Sequence, residues 1–115
     1  MAISEFEIKR IERELDKFLA KRRPPAHIRN EVDIGYEIND QNIIISEIRP
    51  DWQNPAEIHH YPFARATFVK SKKHWKVYWM RQTLKWSPYD PVPIVKSIED
   101  FLQVVDEDAC HCFFG

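Results

Sequence analysis

The chain is nearly without glycine. Gly35 and Gly115 are the only two among 115 residues, where average usage of about 7% would give roughly eight. This scarcity excludes phosphate-cradling glycine loops, because the dinucleotide fingerprint and the Walker loop each need several glycines where backbone closes on phosphate. Turns must instead rely on Asn, Asp and the eight prolines. Cysteine is equally scarce. Cys110 and Cys112 stand one residue apart, so a bridge between them would close a tiny strained loop and constrain little. Reduced thiols in a cytoplasmic protein fit better. The longest strongly apolar run, Ile43-Ile44-Ile45, is far short of the roughly 18 residues a spanning helix needs. Met1-Ala2-Ile3-Ser4-Glu5-Phe6-Glu7 is acidic without an apolar stretch, which is not a secretory signal. Neither membrane insertion nor export is expected.

What is present is ordinary globular material. Hydrophobic residues make up 43% of the chain and charged residues 30%, which excludes a disordered or fibrous chain. At this length one domain over residues 1–115 is expected, without a second. Ser4 followed by Glu7 forms a capping box, and Ile8, Ile11, Leu15, Phe18 and Leu19 recur at helical spacing, so a helix is predicted over about residues 4–22. It ends at Lys21-Arg22-Arg23, before Pro24-Pro25. The period then changes to two. Val32, Ile34, Tyr36 and Ile38 alternate with polar positions, and Asn39-Asp40-Gln41 turns the chain into a second strand over 42–49. Residues 50–62, with Pro50, Pro55 and Pro62, suggest an irregular connection. A second hairpin follows, 63–70 with 75–82, and 84–89 adds a short edge strand. Ser97 and Asp100 open a closing helix over about 97–108. The expected fold is α+β: an N-terminal helix, a four- to five-stranded antiparallel sheet and a C-terminal helix, with both helices on one sheet face.

The net charge of −1 conceals a strong segregation. Residues 58–89 hold seven cations, Arg65, Lys70, Lys72, Lys73, Lys76, Arg81 and Lys85, and no carboxylate. Residues 90–115 hold six acids and only Lys96. Cations interleaved with Trp75, Tyr78, Trp79 and Trp86 are the ingredients of single-stranded nucleic-acid binding, where phosphates meet Lys and Arg while bases stack on rings. The candidate binding set is Arg65, Lys72, Lys73, Trp75, Trp79, Arg81, Lys85 and Trp86. Strand alternation sends Trp75, Val77, Trp79 and Arg81 to one face, and Lys76, Tyr78, Met80 and Gln82 to the other. At least one of these faces is core, so two arrangements stay open. The rings and cations share an accessible side, or the rings pack under helices while the lysines pair with the acidic C-terminal helix.

Three further features carry less. Cys110-His111-Cys112 could offer two thiolates to one metal, but the C-x₂₋₄-C pairs of structural zinc sites are absent, so no metal is expected. His59-His60 offers imidazole chemistry without a readable partner, which leaves a solvated loop pair and no catalytic assignment. Asp106-Glu107-Asp108 lies at the unfavourable end of its helix dipole and is expected to be a solvated terminus. No cofactor is implied.

The string Trp75-Lys76-Val77-Tyr78-Trp79-Met80-Arg81, continuing through Leu84-Lys85-Trp86, resembles the central signature of a family of small bacterial proteins, the domain of unknown function 3024. The segments Ser97 to Leu102, Val105 to Asp108 and Cys112-Phe113-Phe114-Gly115 resemble that family's closing stretch. The resemblance covers most of the chain and implies a stand-alone bacterial domain, but it brings no activity, substrate or catalytic residue. Cys110 lies outside the family's ending, which weakens the two-thiolate reading further. The leading expectation is a non-enzymatic module that contacts an anionic partner, nucleic acid or an acidic protein surface. A homodimeric or protein-interaction module is the second reading, and an enzyme of unidentified class the third.

Overall fold

The computed structural model describes residues 3–110 and 112–114. Helix α1 (Glu5–Arg22) starts where the capping box placed it: Ser4 Oγ accepts from the N–H of Glu7 at 3.3 Å, and Lys21 and Arg22 occupy the last turn. Strands β1 (Asp33–Asn39), β2 (Asn42–Pro50), β3 (Ile58–Val69), β4 (His74–Met80), β5 (Trp86–Pro88) and β6 (Ile94–Val95) precede helix α2 (Ile98–Glu107). β1 to β5 form an antiparallel meander, and β6 pairs with β4 beside β5. Among the described residues the sheet thus has six strands, against the four or five expected from the sequence. The added strand is two residues long, too short for periodicity to reveal.

β3 corrects the sequence reading most. It begins at Ile58 rather than Phe63, so the stretch 58–62, expected to be irregular because of Pro62, is strand. A register shift absorbs the proline: Ile45 pairs with Ala64 but Ser46 with Pro62, leaving Phe63 as the extra residue of a bulge. Bulges are where a strand tolerates a missing donor.

Both helices lie on one side of the sheet. Cross-strand rows place Ile43, Ala66 and Val77 side by side, with Ile45, Ala64 and Trp79 in the next row. Except for half-buried Trp79, these side chains are buried with Ile11, Leu15 and Phe18 of α1 and Ile98, Phe101, Leu102 and Val105 of α2. Alanines in the middle strand let the helices approach the sheet closely, while the larger rings fill its flanks. Among the described residues, no helix lies over the other face.

Ion pairs tie the frame together. Arg10 meets Glu99 at 2.9 Å, and Lys21 and Arg22 both meet Asp106, at 2.8 and 2.5 Å, joining α1 to α2. Arg23 grips Asp33 at the start of β1 at 2.8 Å. Arg23 holds the carboxyl of Asp33 below its ordinary range, as Lys21 and Arg22 hold that of Asp106. A depressed carboxylate favours the fold above its unfolded pKa, and that contribution is lost as pH falls through the folded value. At the other limit, burial raises the pKa of Tyr36, Tyr89 and Cys112, so the unfolded chain loses those protons first as pH rises. Thermal melts across pH should therefore show a plateau near neutrality, with midpoints falling below about pH 4 and again above about pH 9. A flat profile down to pH 2.5 would contradict the role given to these carboxylates.

Candidate nucleic-acid interface

The uncovered sheet face is built by the alternate residues of each strand. Arg65 stands at its centre, between Ile44 of β2 and Tyr78 of β4, which are its cross-strand neighbours. Its guanidinium carbon lies 4.2 Å from the centroid of the Tyr78 ring and 5.1 Å from that of Trp86. Such cation–π contacts hold a guanidinium in place without neutralising it. His74, Lys76 and Met80 extend the face along β4, with Trp86 and Pro88 on β5 and Ile94 on β6. Among the described residues, two buried side-chain nitrogens have no hydrogen-bond partner, Arg65 Nε and His74 Nε2. Both belong to this face. Buried polar atoms are almost always satisfied in native proteins, so two orphans on one uncovered surface mark it as unusual.

Charge reinforces the asymmetry. The side chains of Lys72, Lys73, Lys76, Arg81 and Lys85 are exposed and have no ion-pair or hydrogen-bond partner among the described residues. Lys72 and Lys73 sit in the β3–β4 turn, Lys76 lies midway along β4, and Arg81 and Lys85 sit in the turn beyond its far end. With Arg65 they form a cationic band that spans roughly 25 Å of the hairpin, at about 3.4 Å per strand residue: Arg65 and Lys76 lie on the uncovered face, Lys72 and Lys73 at the tip, and Arg81 and Lys85, paired one row beyond Met80 and Trp86, on the side of Trp79. Three of the acids near the C-terminus are engaged elsewhere. Glu99 and Asp106 are engaged by α1, and Asp108 by the chain that follows it. Asp108 accepts from the N–H groups of Phe113 at 3.0 Å and Phe114 at 2.8 Å. It is 7% exposed and adopts the left-handed conformation, φ 43°. It is therefore a buried anchor rather than part of the solvated terminus expected from the acidic run.

The predicted ring set divides between the two faces. Trp75, 5% exposed, packs on Phe68 at 5.0 Å within the core, and Trp79 points to the same side, half-buried against that core. Neither lies on the uncovered face with Arg65 and Lys76. Trp86 does, and Tyr78, absent from the predicted set, takes the position that Trp79 was expected to fill. Strand alternation alone identifies two candidate faces. What it cannot supply is which of them the helices cover.

Two other candidates resolve differently. His59 has a partner after all: its Nε2 lies 3.2 Å from Asp51 Oδ2, across the β2–β3 connection. Glu57 brings a third donor, all within 4.8 Å of one another. Three donors are one short of a closed tetrahedral zinc site. The backbone N–H of Gln53 first, then His59, lowers the pKa of Asp51, which is what an Asx turn beside an imidazole produces without a metal. Cys110 is exposed and Cys112 half-buried; His111 lies outside the described residues.

A family model described as Domain of unknown function (DUF3024) matches residues 3–115. The chain belongs to that family. No curated protein and no solved structure matches it. Among the described residues, no helix is long and apolar enough to cross a membrane.

Proposed function

We propose that this DUF3024 domain is a non-enzymatic binding module whose uncovered sheet face and β3–β4 hairpin hold a single-stranded nucleic acid. One observation carries the reading: Arg65, Lys72, Lys73, Lys76, Arg81 and Lys85 have no carboxylate partner among the described residues, while Glu99, Asp106 and Asp108 near the C-terminus are engaged elsewhere. Arg65, Lys72, Lys73, Lys76, Arg81 and Lys85 supply the phosphate contacts. Trp86 and Tyr78 supply rings beside them. A flat basic surface with interleaved aromatics suits an extended strand whose bases can be splayed, more than a duplex whose bases are already stacked. Nothing in this arrangement places a nucleophile, an acid and a base in defined roles, so the reading is of binding without chemistry.

Counterion release gives a direct test. Single strands lose affinity with a log–log salt slope of about −0.7 per neutralised phosphate, so five engaged phosphates give roughly −3.5. Fluorescence anisotropy of a labelled ten-nucleotide thymidine oligomer, titrated with the wild-type chain between 50 and 300 mM salt, should show that dependence. Absence of binding at 50 mM salt, or affinity independent of salt, defeats the proposal and leaves an acidic protein surface or a second copy of the chain as the partner to pursue.

A further inference from the structure

β5 and β6 share the outer edge of β4 without meeting. Val77 donates its N–H to the carbonyl of Pro93 and its carbonyl accepts from the N–H of Tyr89, both at 2.9 Å. The chain thus leaves the sheet after β5 and returns at β6 across a single residue of β4. The gap between them is a notch of about 200 Å³ lined by Lys76, Val77, Tyr78, Pro88, Pro93 and Ile94. It is smaller than the roughly 300–1,000 Å³ of ordinary small-molecule sites, and suits a single ring system. Its walls are mostly apolar, and two of them are prolines whose φ is fixed, so little conformational freedom is lost when something enters.

The notch adjoins the anchored cation. Tyr78 both lines it and lies under the Arg65 guanidinium, while Lys76, exposed and without a partner among the described residues, stands at its rim. Arg65 is held by rings instead of a carboxylate, with its Nε buried and unpartnered. Its other guanidinium N–H groups are therefore the donors left for a phosphate, and their planar fork fits two phosphate oxygens at once.

We propose that the notch is a base slot: one unstacked base of a bound single strand enters between Pro88 and Ile94, and an adjoining phosphate is held by Arg65 and Lys76. This deepens the reading above and rests on it. The slot makes recognition partly base-dependent, whereas the cationic band alone would respond only to phosphates.

The test compares two ten-nucleotide oligomers of equal charge, one of thymidine and one abasic, against wild type and Ile94→Asn. The substitution is neutral, so the phosphate contribution is untouched, and Ile94 is 48% exposed, so the melting temperature should hold within a few degrees. Base stacking on protein rings and apolar side chains typically gives a five- to hundredfold gain; wild type should prefer the thymidine oligomer about tenfold. Ile94→Asn should reduce that preference to twofold or less with an unchanged salt slope. Arg65→Lys, which keeps the charge but loses the fork, should weaken both oligomers alike. If wild type binds both oligomers equally, or Ile94→Asn retains the preference, the slot is wrong while the wider reading survives. If wild type binds neither, both fall together. A polyglutamate peptide that competes as well as the thymidine oligomer would overturn the slot in favour of a protein partner.

Discussion

Reversing two charges at the hairpin tip, Lys72→Glu with Lys73→Glu, should weaken oligonucleotide binding roughly 100-fold at 0.1 M salt and have almost no effect toward 1 M. Every phosphate that a lysine neutralises releases a counterion, worth roughly a factor of five between those two salt concentrations for a single strand. Two such factors give roughly 25-fold, and the repulsion of two new carboxylates supplies the remainder. The weakening should be the same across base sequences, since lysine contacts to phosphate carry no base information. Both side chains are exposed and without partners among the described residues, so the fold should be unaffected. The control is Lys9→Glu with Arg13→Glu, on exposed positions of α1 on the opposite side of the molecule. It changes net charge by the same amount. If the control weakens binding as much as the hairpin variant, affinity follows overall charge and the open face has no special part.

The largest expected loss of stability comes from Asp108→Ala, about 3 kcal/mol. Three contributions combine. The N–H groups of Phe113 and Phe114 lose a charged acceptor, and each hydrogen bond to a charged group contributes about 1.5–3 kcal/mol. Alanine in the left-handed region costs a further 1 kcal/mol or so. Partial rescue by tail rearrangement and water keeps the total below the simple sum. The tail itself then loosens: Phe113 packs on Tyr89 at 4.9 Å, and Phe114 lies 5.2 Å from Phe63 and under the guanidinium of Arg22 at 4.4 Å. Asp108→Asn should cost less, because asparagine tolerates the same backbone and keeps one acceptor. Urea denaturation should rank the three as wild type, then Asn, then Ala. If alanine matches wild type, the carboxylate is not holding the tail.

Much of this molecule can be read from residue order, and the limits fall at identifiable places. α1 is legible because a capping box, a stripe at helical spacing and a double proline all agree on one segment. The first hairpin is legible because its period of two is clean on both sides of Asn39-Asp40-Gln41. The strand 58–62 is not, since Pro62 signals irregularity locally while its partner Ser46 lies in a distant segment that sets the bulge. Asp108 misleads for a related reason: in sequence it is the third acid of a run, and only folding brings the N–H groups of residues 113 and 114 onto it. In the candidate site, the cations are legible as composition, but the division of rings between faces depends on where the helices settle. By aromatic character alone, Trp75 and Trp79 cannot be told apart from Tyr78 and Trp86. They differ in parity along strands whose covered side only tertiary packing decides.

The placement of the two helices also bears on synthesis. α1 emerges from the ribosome well before α2, which carries its ion-pair partners Glu99 and Asp106. At roughly 5–20 residues per second, several seconds pass in which the meander can pair strand by strand while its inner surface and the stripe of Ile11, Leu15 and Phe18 lie open. The nascent chain thus passes through an interval in which those apolar surfaces have nothing to pack against, and that interval closes only when α2 clears the exit tunnel.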